Sequence, residues 1–209
     1  MNNASHSVRT KWDGRYADRT LNDVKEPTPF LISCLPELPT SGLALDVAAG
    51  AGRHAVVLAQ RGLQVDAVDI SWQGLQLARR RAEQIGGYPG SIQFMVTDLE
   101  LPWLPEREYD VILVSFFLYR PLFPLIKDRL KPGGQLLYET RVEVVGDHKQ
   151  SSQRNPFWLE PRELLNAFSE FDIVRYDEGH RRRPGSCQGG ITAQLLARKL
   201  NVGGDLRQE

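Results

Sequence analysis

Two acids end two neighbouring apolar runs in this chain. Leu43-Ala44-Leu45 leads into Asp46, and Leu63 to Val68 leads into Asp69. Between them lie a small-residue turn, Ala48-Ala49-Gly50-Ala51-Gly52, and a dense apolar stretch, Val56-Val57-Leu58-Ala59. That order reads as strand, tight turn, helix, strand. In a doubly wound sheet the ends of such strands open side by side on the ligand crevice, so the two acids are expected to share it. Gly50 and Gly52 let backbone approach a ligand where a Cβ would collide. Asp69 is placed to accept hydrogen bonds from ribose hydroxyls. The chemistry these residues suggest is the binding of a nucleoside-containing cofactor.

Two cofactor classes compete for that reading. Gly50-Ala51-Gly52-Arg53-His54-Ala55 fits a dinucleotide fingerprint with Ala in the third glycine position, a weak signal by itself. Asp46 argues the other way, because a carboxylate is a poor neighbour for a pyrophosphate and a good one for an ammonium. S-adenosylmethionine carries an ammonium and a sulfonium and no phosphate. An NAD(P)-dependent oxidoreductase would also need a substrate domain or a Tyr-x-x-x-Lys pair, and the sequence offers neither. A purely structural reading stands beside both, with Asp46 fastening the turn and Asp69 capping the next helix.

Asp46 to Gly52, followed by Val68-Asp69-Ile70-Ser71, resembles motifs I and II of the class I S-adenosylmethionine-dependent methyltransferases. The family usually has Asp/Glu-x-Gly-x-Gly-x-Gly, and Ala48 stands here at the first glycine. Val96-Thr97-Asp98-Leu99 looks like the third motif, with its acid facing adenine, and Lys131-Pro132-Gly133-Gly134 looks like the turn into strand five. The four matches run in order over about residues 43–140. Trp12-Asp13-Gly14-Arg15-Tyr16-Ala17, Tyr138-Glu139-Thr140, Asn155-Pro156-Phe157-Trp158-Leu159 and Pro161-Arg162-Glu163-Leu164 are similar to the small bacterial tellurite-resistance and thiopurine-type enzymes.

That resemblance implies a Rossmann-like α/β fold over residues 1–209, with a seven-stranded, mostly parallel sheet and a terminal antiparallel hairpin. It implies S-adenosyl-L-methionine as cofactor, held by Asp46, Ala48, Gly50, Gly52, Asp69, Ile70, Asp98, Leu99 and Ser115. The resemblance names no substrate; a small-molecule acceptor, a soft nucleophile such as a thiol or a chalcogen species, is expected because the neutral net charge gives no steering toward nucleic acid. A catalytically degenerate scaffold that still binds the cofactor is the alternative outside enzymology.

Methyl transfer from a sulfonium is an in-line displacement from an activated donor, so positioning supplies much of the acceleration. A base is required only when the acceptor arrives protonated with a high pKa. The acceptor is expected beyond strands four and five, where Tyr119, Glu139 and Arg141 are the candidate catalytic residues. Glu139 can act as base or orient the acceptor, and Arg141 can hold an anionic group; capping or a surface ion pair is the plain alternative for each. Trp12 and Tyr16 read either as a lid or as an anchor of the terminus, and His54 as substrate contact or, more simply, a satisfied helix-end histidine. The polar segment from Val145 to Asn155 reads as a lid.

The elements that must position these groups follow from pattern. The first ten residues, rich in Asn and Ser, read as a mobile tail. Thr28 to Leu35 predicts a short helix, and Ser71 an N-cap for a helix through Ile85 ended by Gly86-Gly87. Ile92, Phe94 and Val96 alternate as strand three, and Val111 to Val114 is a continuous apolar strand. A helix over about 121–130 precedes strand five at 135–140. Pro161 opens a helix through Phe168, and 171–176 and 191–197 form the last, antiparallel strands.

Composition adds limits. The 26 basic and 26 acidic side chains cancel, which gives no steering toward nucleic acid. Arg181-Arg182-Arg183 is the one basic cluster, read as a solvated loop. Cys34 and Cys187 are far apart, and His6, His54, His148 and His180 form no ligand spacing, so neither a metal nor a disulfide framework is expected. No secretory signal and no membrane span is legible, and the expected location is the cytoplasm.

Overall fold

A computed structural model describes residues 3–143, 155–182 and 189–201. The parallel core of the sheet is built from β1 (Leu43–Val47), β2 (Gln64–Asp69), β3 (Ser91–Val96), β4 (Tyr109–Ser115) and β5 (Leu130–Arg141). Two antiparallel strands complete it, β6 (Asp172–Arg182) and β7 (Gly189–Arg198). The order is β3-β2-β1-β4-β5-β7-β6, so β7 lies between β5 and β6. The expected seven-stranded, mostly parallel sheet with a terminal hairpin is therefore the observed one.

Helices cover both faces. On one lie α2 (Pro29–Cys34), α3 (Ala55–Gln60) and α4 (Trp72–Ile85); on the other lie α5 (Leu122–Arg129) and α6 (Glu163–Ala167). Residues paired in register share a face, and alternate residues along a strand return to it. Ala44, Leu113, Leu137 and Leu196 thus face α2 and α3, where Leu31, Cys34, Leu58 and Ala59 close a core. Leu45, Val47, Ile112, Val114 and Tyr138 face Leu122, Ile126, Leu164 and Phe168. No helix stands between β3 and β4. Asp66, buried on that side of β2, instead accepts Tyr109 Oη at 2.8 Å and pairs with Arg107 of the connection at 3.0 Å.

Three expectations are corrected. The polar start is helical rather than a tail: α1 runs Asn3–Tyr16. Its sequence has no strong apolar face, so pattern could not reveal it; its last turn is fixed by tertiary contacts. Asp13 Oδ1 accepts Ser71 Oγ at 2.7 Å and the Gln73 N–H at 3.1 Å, which seats α1 on the first turn of α4. Strand five starts five residues early, at Leu130, because Lys131-Pro132-Gly133-Gly134 is absorbed as an irregularity between the pairs Tyr109–Leu130 and Val111–Gln135. The last helix starts at Glu163, not Pro161. Arg162 is left-handed (φ 63°), held there by its N–H donating to Glu178 Oε1 at 2.6 Å. The Val145–Asn155 lid lies outside the described residues except for Asn155, as do Cys187, His148 and Arg183.

The glycine pattern of the first turn has a direct cause. Ala48, Gly50 and Gly52 have φ of 59°, 54° and 69°, so every second position is left-handed. Only glycine adopts that conformation without strain. A Cβ on Gly52 would stand 2.7 Å from Ala78 Cβ in α4. Gly52→Ala should therefore cost about 2–4 kcal/mol, backbone strain and overpacking together. Ala48→Gly should be neutral or stabilise by about 0.5–1 kcal/mol, since relief of strain outweighs the entropy of a free glycine. Urea unfolding of both variants checks the opposite signs; equal effects would show that the turn is not strained at Ala48.

Candidate functional site

The turn after β1 is fixed by Asp69 at the end of β2. Asp69 Oδ2 accepts the Gly50 N–H and Oδ1 accepts the Ser71 N–H, both at 2.8 Å. The Ala49 N–H donates to the Val68 carbonyl and the Thr97 N–H to the Asp69 carbonyl. The ends of β1, β2 and β3 are thereby laced together. Asp98 follows immediately, half-buried, its Oδ1 accepting the Glu100 N–H at 3.0 Å, while Ile70 and Leu99 are buried apolar neighbours. Burial pushes the Asp69 carboxyl up, and backbone hydrogen bonds from Ser71, Gly50 and Ile70 pull it back. Each Asp69 oxygen keeps acceptor capacity beyond the one N–H it holds.

Tyr16 of α1 lies directly against this turn. Its hydroxyl occupies the place where a Gly50 Cβ would stand, and its ring edge sits 3.1 Å from where a Gly74 Cβ would be. Burial raises the phenol pKa, and the Asp69 charge raises it further. Arg19 stacks on the same ring at 5.4 Å, and Arg15 on Trp12 at 4.5 Å. Gly50 is thus small to admit Tyr16; a side chain added there meets α1 rather than a ligand. Tyr16 both anchors α1 and covers the glycine turn.

Asp46 is 1% exposed at the end of β1. The Ala55 N–H bonds its carboxylate, but Oδ2 is buried without a partner among the described residues. Burial raises its pKa to about 7, against the pull of Arg53 and with a further push from Asp69. Arg53 reaches from the turn to the Ser115 hydroxyl (3.5 Å), the Glu26 carbonyl (3.4 Å) and the Phe116 ring (5.8 Å). His54 is structural. Its Nε2 accepts the Thr28 N–H at 3.3 Å, and burial, with Arg53 and Arg81, lowers its pKa to about 3.

On the acceptor side the three candidates separate. Glu139 is 4% exposed; Oε1 accepts Gln194 Nε2 at 2.6 Å, and Oε2 is buried without a partner among the described residues. Ser115 is its register partner in β4. Tyr119 packs instead against the core on the α5 side, and the Arg141 guanidinium stacks over Trp158 at 5.9 Å. Neither shares a described contact with Glu139. Sequence reasoning missed Arg53, whose reach crosses three elements, and Gln194, whose one signal was a polar residue within the apolar run Ile191 to Ala197. Among the described residues no group of three His, Cys, Asp or Glu is placed to hold a metal ion, and no helix is long and apolar enough to cross a membrane.

A family model described as a methyltransferase domain matches residues 44–134. Phosphoethanolamine N-methyltransferase 3 of Arabidopsis thaliana is 28% identical over 177 residues, 79% of this chain and 35% of that protein. The chain spans between a third and two fifths of the length of the curated relatives it matches. Among solved structures, TehB from Haemophilus influenzae superposes with a TM-score of 0.71 at 18% identity, over 85% of this chain and 64% of that one. Magnesium protoporphyrin IX methyltransferase from Synechocystis PCC 6803, with S-adenosylhomocysteine bound, gives 0.67 at 17% identity over 93% and 99%.

The buried acid at the end of β1 should show in solution. The folded state keeps the Asp46 proton up to a pH of about 7, whereas the unfolded chain releases it near 3.8. Between those values the unfolded state binds fewer protons, so the Asp46 contribution makes stability fall as pH rises from about 4 to about 7 and then level off. Asp46→Asn removes that slope. Its stability relative to the parent should rise by about 1 kcal/mol per pH unit across the window. Urea unfolding at pH 5, 6, 7 and 8 measures this, and a difference independent of pH would mean that Asp46 is ionised in the fold.

Proposed function

We propose that this chain, whose residues 44–134 match a methyltransferase-domain model and lie within a Rossmann-like sheet, transfers the methyl group of S-adenosyl-L-methionine to a small-molecule acceptor. The observation that carries the cofactor reading is the unpartnered Oδ2 of Asp46 beside the left-handed turn, a buried acceptor suited to an ammonium. A pyrophosphate would bring that oxygen no donor and would oppose its ionisation, whereas an ammonium supplies both a donor and a positive charge. Asp69 would hold the ribose hydroxyls, Asp98 the adenine amino group, and Ile70 and Leu99 the faces of the base; Ala48, Gly50 and Gly52 supply close backbone, and Ser115 with Arg53 borders the methionine end.

When bound, the cofactor supplies a methyl group on a positively charged sulfur, already a good leaving group. The chain's own task is alignment and desolvation. Tyr16 excludes water from the glycine turn, and Arg53 ties the turn to the end of β4. The similar proteins differ in what they act on: magnesium protoporphyrin IX for one solved neighbour, a disulfide bond converted into a thioacetal during echinomycin biosynthesis for another, and phosphoethanolamine for a curated relative, so acceptor identity does not carry over from any of them. Among the expected candidates we assign the acceptor to Glu139, on the strength of its unpartnered Oε2; Tyr119 packs on the α5 side and Arg141 stacks over Trp158.

Isothermal titration should show S-adenosylhomocysteine binding and no binding of NAD or NADP. Dinucleotide binding in its place would refute the assignment. Asp69→Ala should weaken S-adenosylhomocysteine by about 1.5–3 kcal/mol through lost charge-assisted hydrogen bonds. It should also destabilise the fold by about 2–4 kcal/mol, because the Gly50 and Ser71 N–H groups lose their shared acceptor. A variant that loses stability but keeps its affinity would assign Asp69 to the fold alone.

A further inference from the structure

The sheet places a second unpartnered carboxylate on the face that holds the first. Asp46 pairs in register with Leu113; Ser115, two residues on, pairs with Glu139, and Glu139 with Gln194. Asp46, Ser115, Glu139 and Gln194 therefore lie on one face, toward α2 and α3, near the ends of their strands. Asp46 and Glu139 are two strands and two residues apart, which puts their Cα atoms roughly 12 Å from each other at ordinary strand spacing and rise. Each is buried, and each has one oxygen with no partner among the described residues.

Burying a carboxylate without a cationic or donor partner is costly, and a chain keeps one where a ligand completes it. Among the described residues Glu139 is in no salt bridge. Gln194 donates to its Oε1 at 2.6 Å, and the carboxylate lies close enough to the buried Cys34 thiol of α2 to help push that thiol's pKa up. The neighbouring end of β4 is also set up for contact. Phe116 is left-handed (φ 54°), held by its N–H donating to the Glu139 carbonyl at 2.7 Å, and its ring is 39% exposed. A non-glycine residue kept in that conformation with an exposed aromatic ring is the kind of strain that persists at binding sites.

We infer that the acceptor of this enzyme is an amine with an apolar body, its nitrogen hydrogen-bonded to Glu139 Oε2 and its body against Phe116. The inference rests on the methyltransferase reading above and narrows it. The juxtaposition divides two ammonium groups between two carboxylates: Asp46 takes that of the cofactor and Glu139 that of the acceptor. A protonated amine has no free electron pair, so it must lose a proton before it can accept a methyl group, and Glu139 Oε2 is the base in place to take it. The freed pair forms the N–C bond to the methyl carbon while the C–S bond breaks with its electrons going to sulfur. The products are a methylated ammonium, a neutral thioether and a protonated Glu139, which returns its proton to water. An anionic acceptor would face the carboxylate as a like charge, and a neutral thiol offers it only a weak S–H donor in place of a charge-assisted N–H.

The test compares phenethylamine with 2-phenylethanethiol, two molecules alike except at the nucleophile. Calorimetric titration into the protein saturated with S-adenosylhomocysteine should show the amine binding and the thiol not. Glu139→Gln, similar in size, should weaken the amine tenfold or more and leave the S-adenosylhomocysteine affinity within twofold. With S-adenosylmethionine, turnover of the amine by Glu139→Gln should fall about 100-fold. No amine binding by the parent, equal amine binding by Glu139→Gln, or binding of the thiol in place of the amine overturns the inference and leaves the methyltransferase reading intact. Failure of S-adenosylhomocysteine itself to bind would sink that reading instead.

Discussion

One carboxylate, that of Asp69, is shared by two stretches of backbone, the turn after β1 and the start of α4. Its Oδ2 takes the N–H of Gly50, 19 residues upstream, and its Oδ1 takes that of Ser71 at the start of α4. The first bond holds the glycine turn in its alternating left-handed path; the second sets where α4 begins. Everything at this end of the sheet is referred to those bonds. Ser71 then caps α4 with its own hydroxyl, accepting from the Gly74 N–H, and donates that hydroxyl's hydrogen bond to Asp13 Oδ1, which seats α1. Tyr16, carried on α1, returns to fill the space that Gly50 leaves. The chain closes a ring of contacts from β1 through β2, α4 and α1 back to the turn.

That ring explains what was legible in the sequence and what was not. Strands whose two faces are buried show as apolar runs, and turns that need positive φ show as glycines, so β1, β2, β4 and the intervening turn could be read directly. Helix α4 announced itself by Ser71 and Gly86, which act locally. Helix α1 did not, because Asp13 and Tyr16 fix it through residues some 60 positions away in sequence. The same holds for Arg162: its left-handed backbone answers to Glu178 on β6, across a distance that no window of sequence spans. Where an element is specified by a neighbour in space, periodicity carries no trace of it.

The candidate site divides along the same line. Asp46, Asp69 and the glycines lie on one short stretch with a recognisable spacing, and the structure keeps them together. Tyr119, Glu139 and Arg141 were chosen because they follow strands four and five, a rule that fixes which end of the sheet a residue occupies but not which partners it meets. Tyr119 turned to the α5 core and Arg141 to Trp158. Glu139 shares the face of Asp46 and keeps one oxygen free of described partners, while Gln194, which donates to the other oxygen, comes from the neighbouring antiparallel strand, 55 residues on in sequence.

The two buried acids also set a limit on how stable the unliganded protein can be. In Asp46 the cost of burial appears as a carboxyl held neutral to a pH of about 7. In Glu139 it appears as an oxygen with no donor among the described residues. Both deficits lie on one face, bordered by Arg53, which spans the turn, the segment before α2 and the end of β4. Apolar residues at either position would pack the sheet as well as Leu113 and Leu137 do between them. The sheet gives up that stability at two of its strand ends, and a pair of cationic ligands is the class of partner that would restore it, since each supplies the donors that the fold withholds.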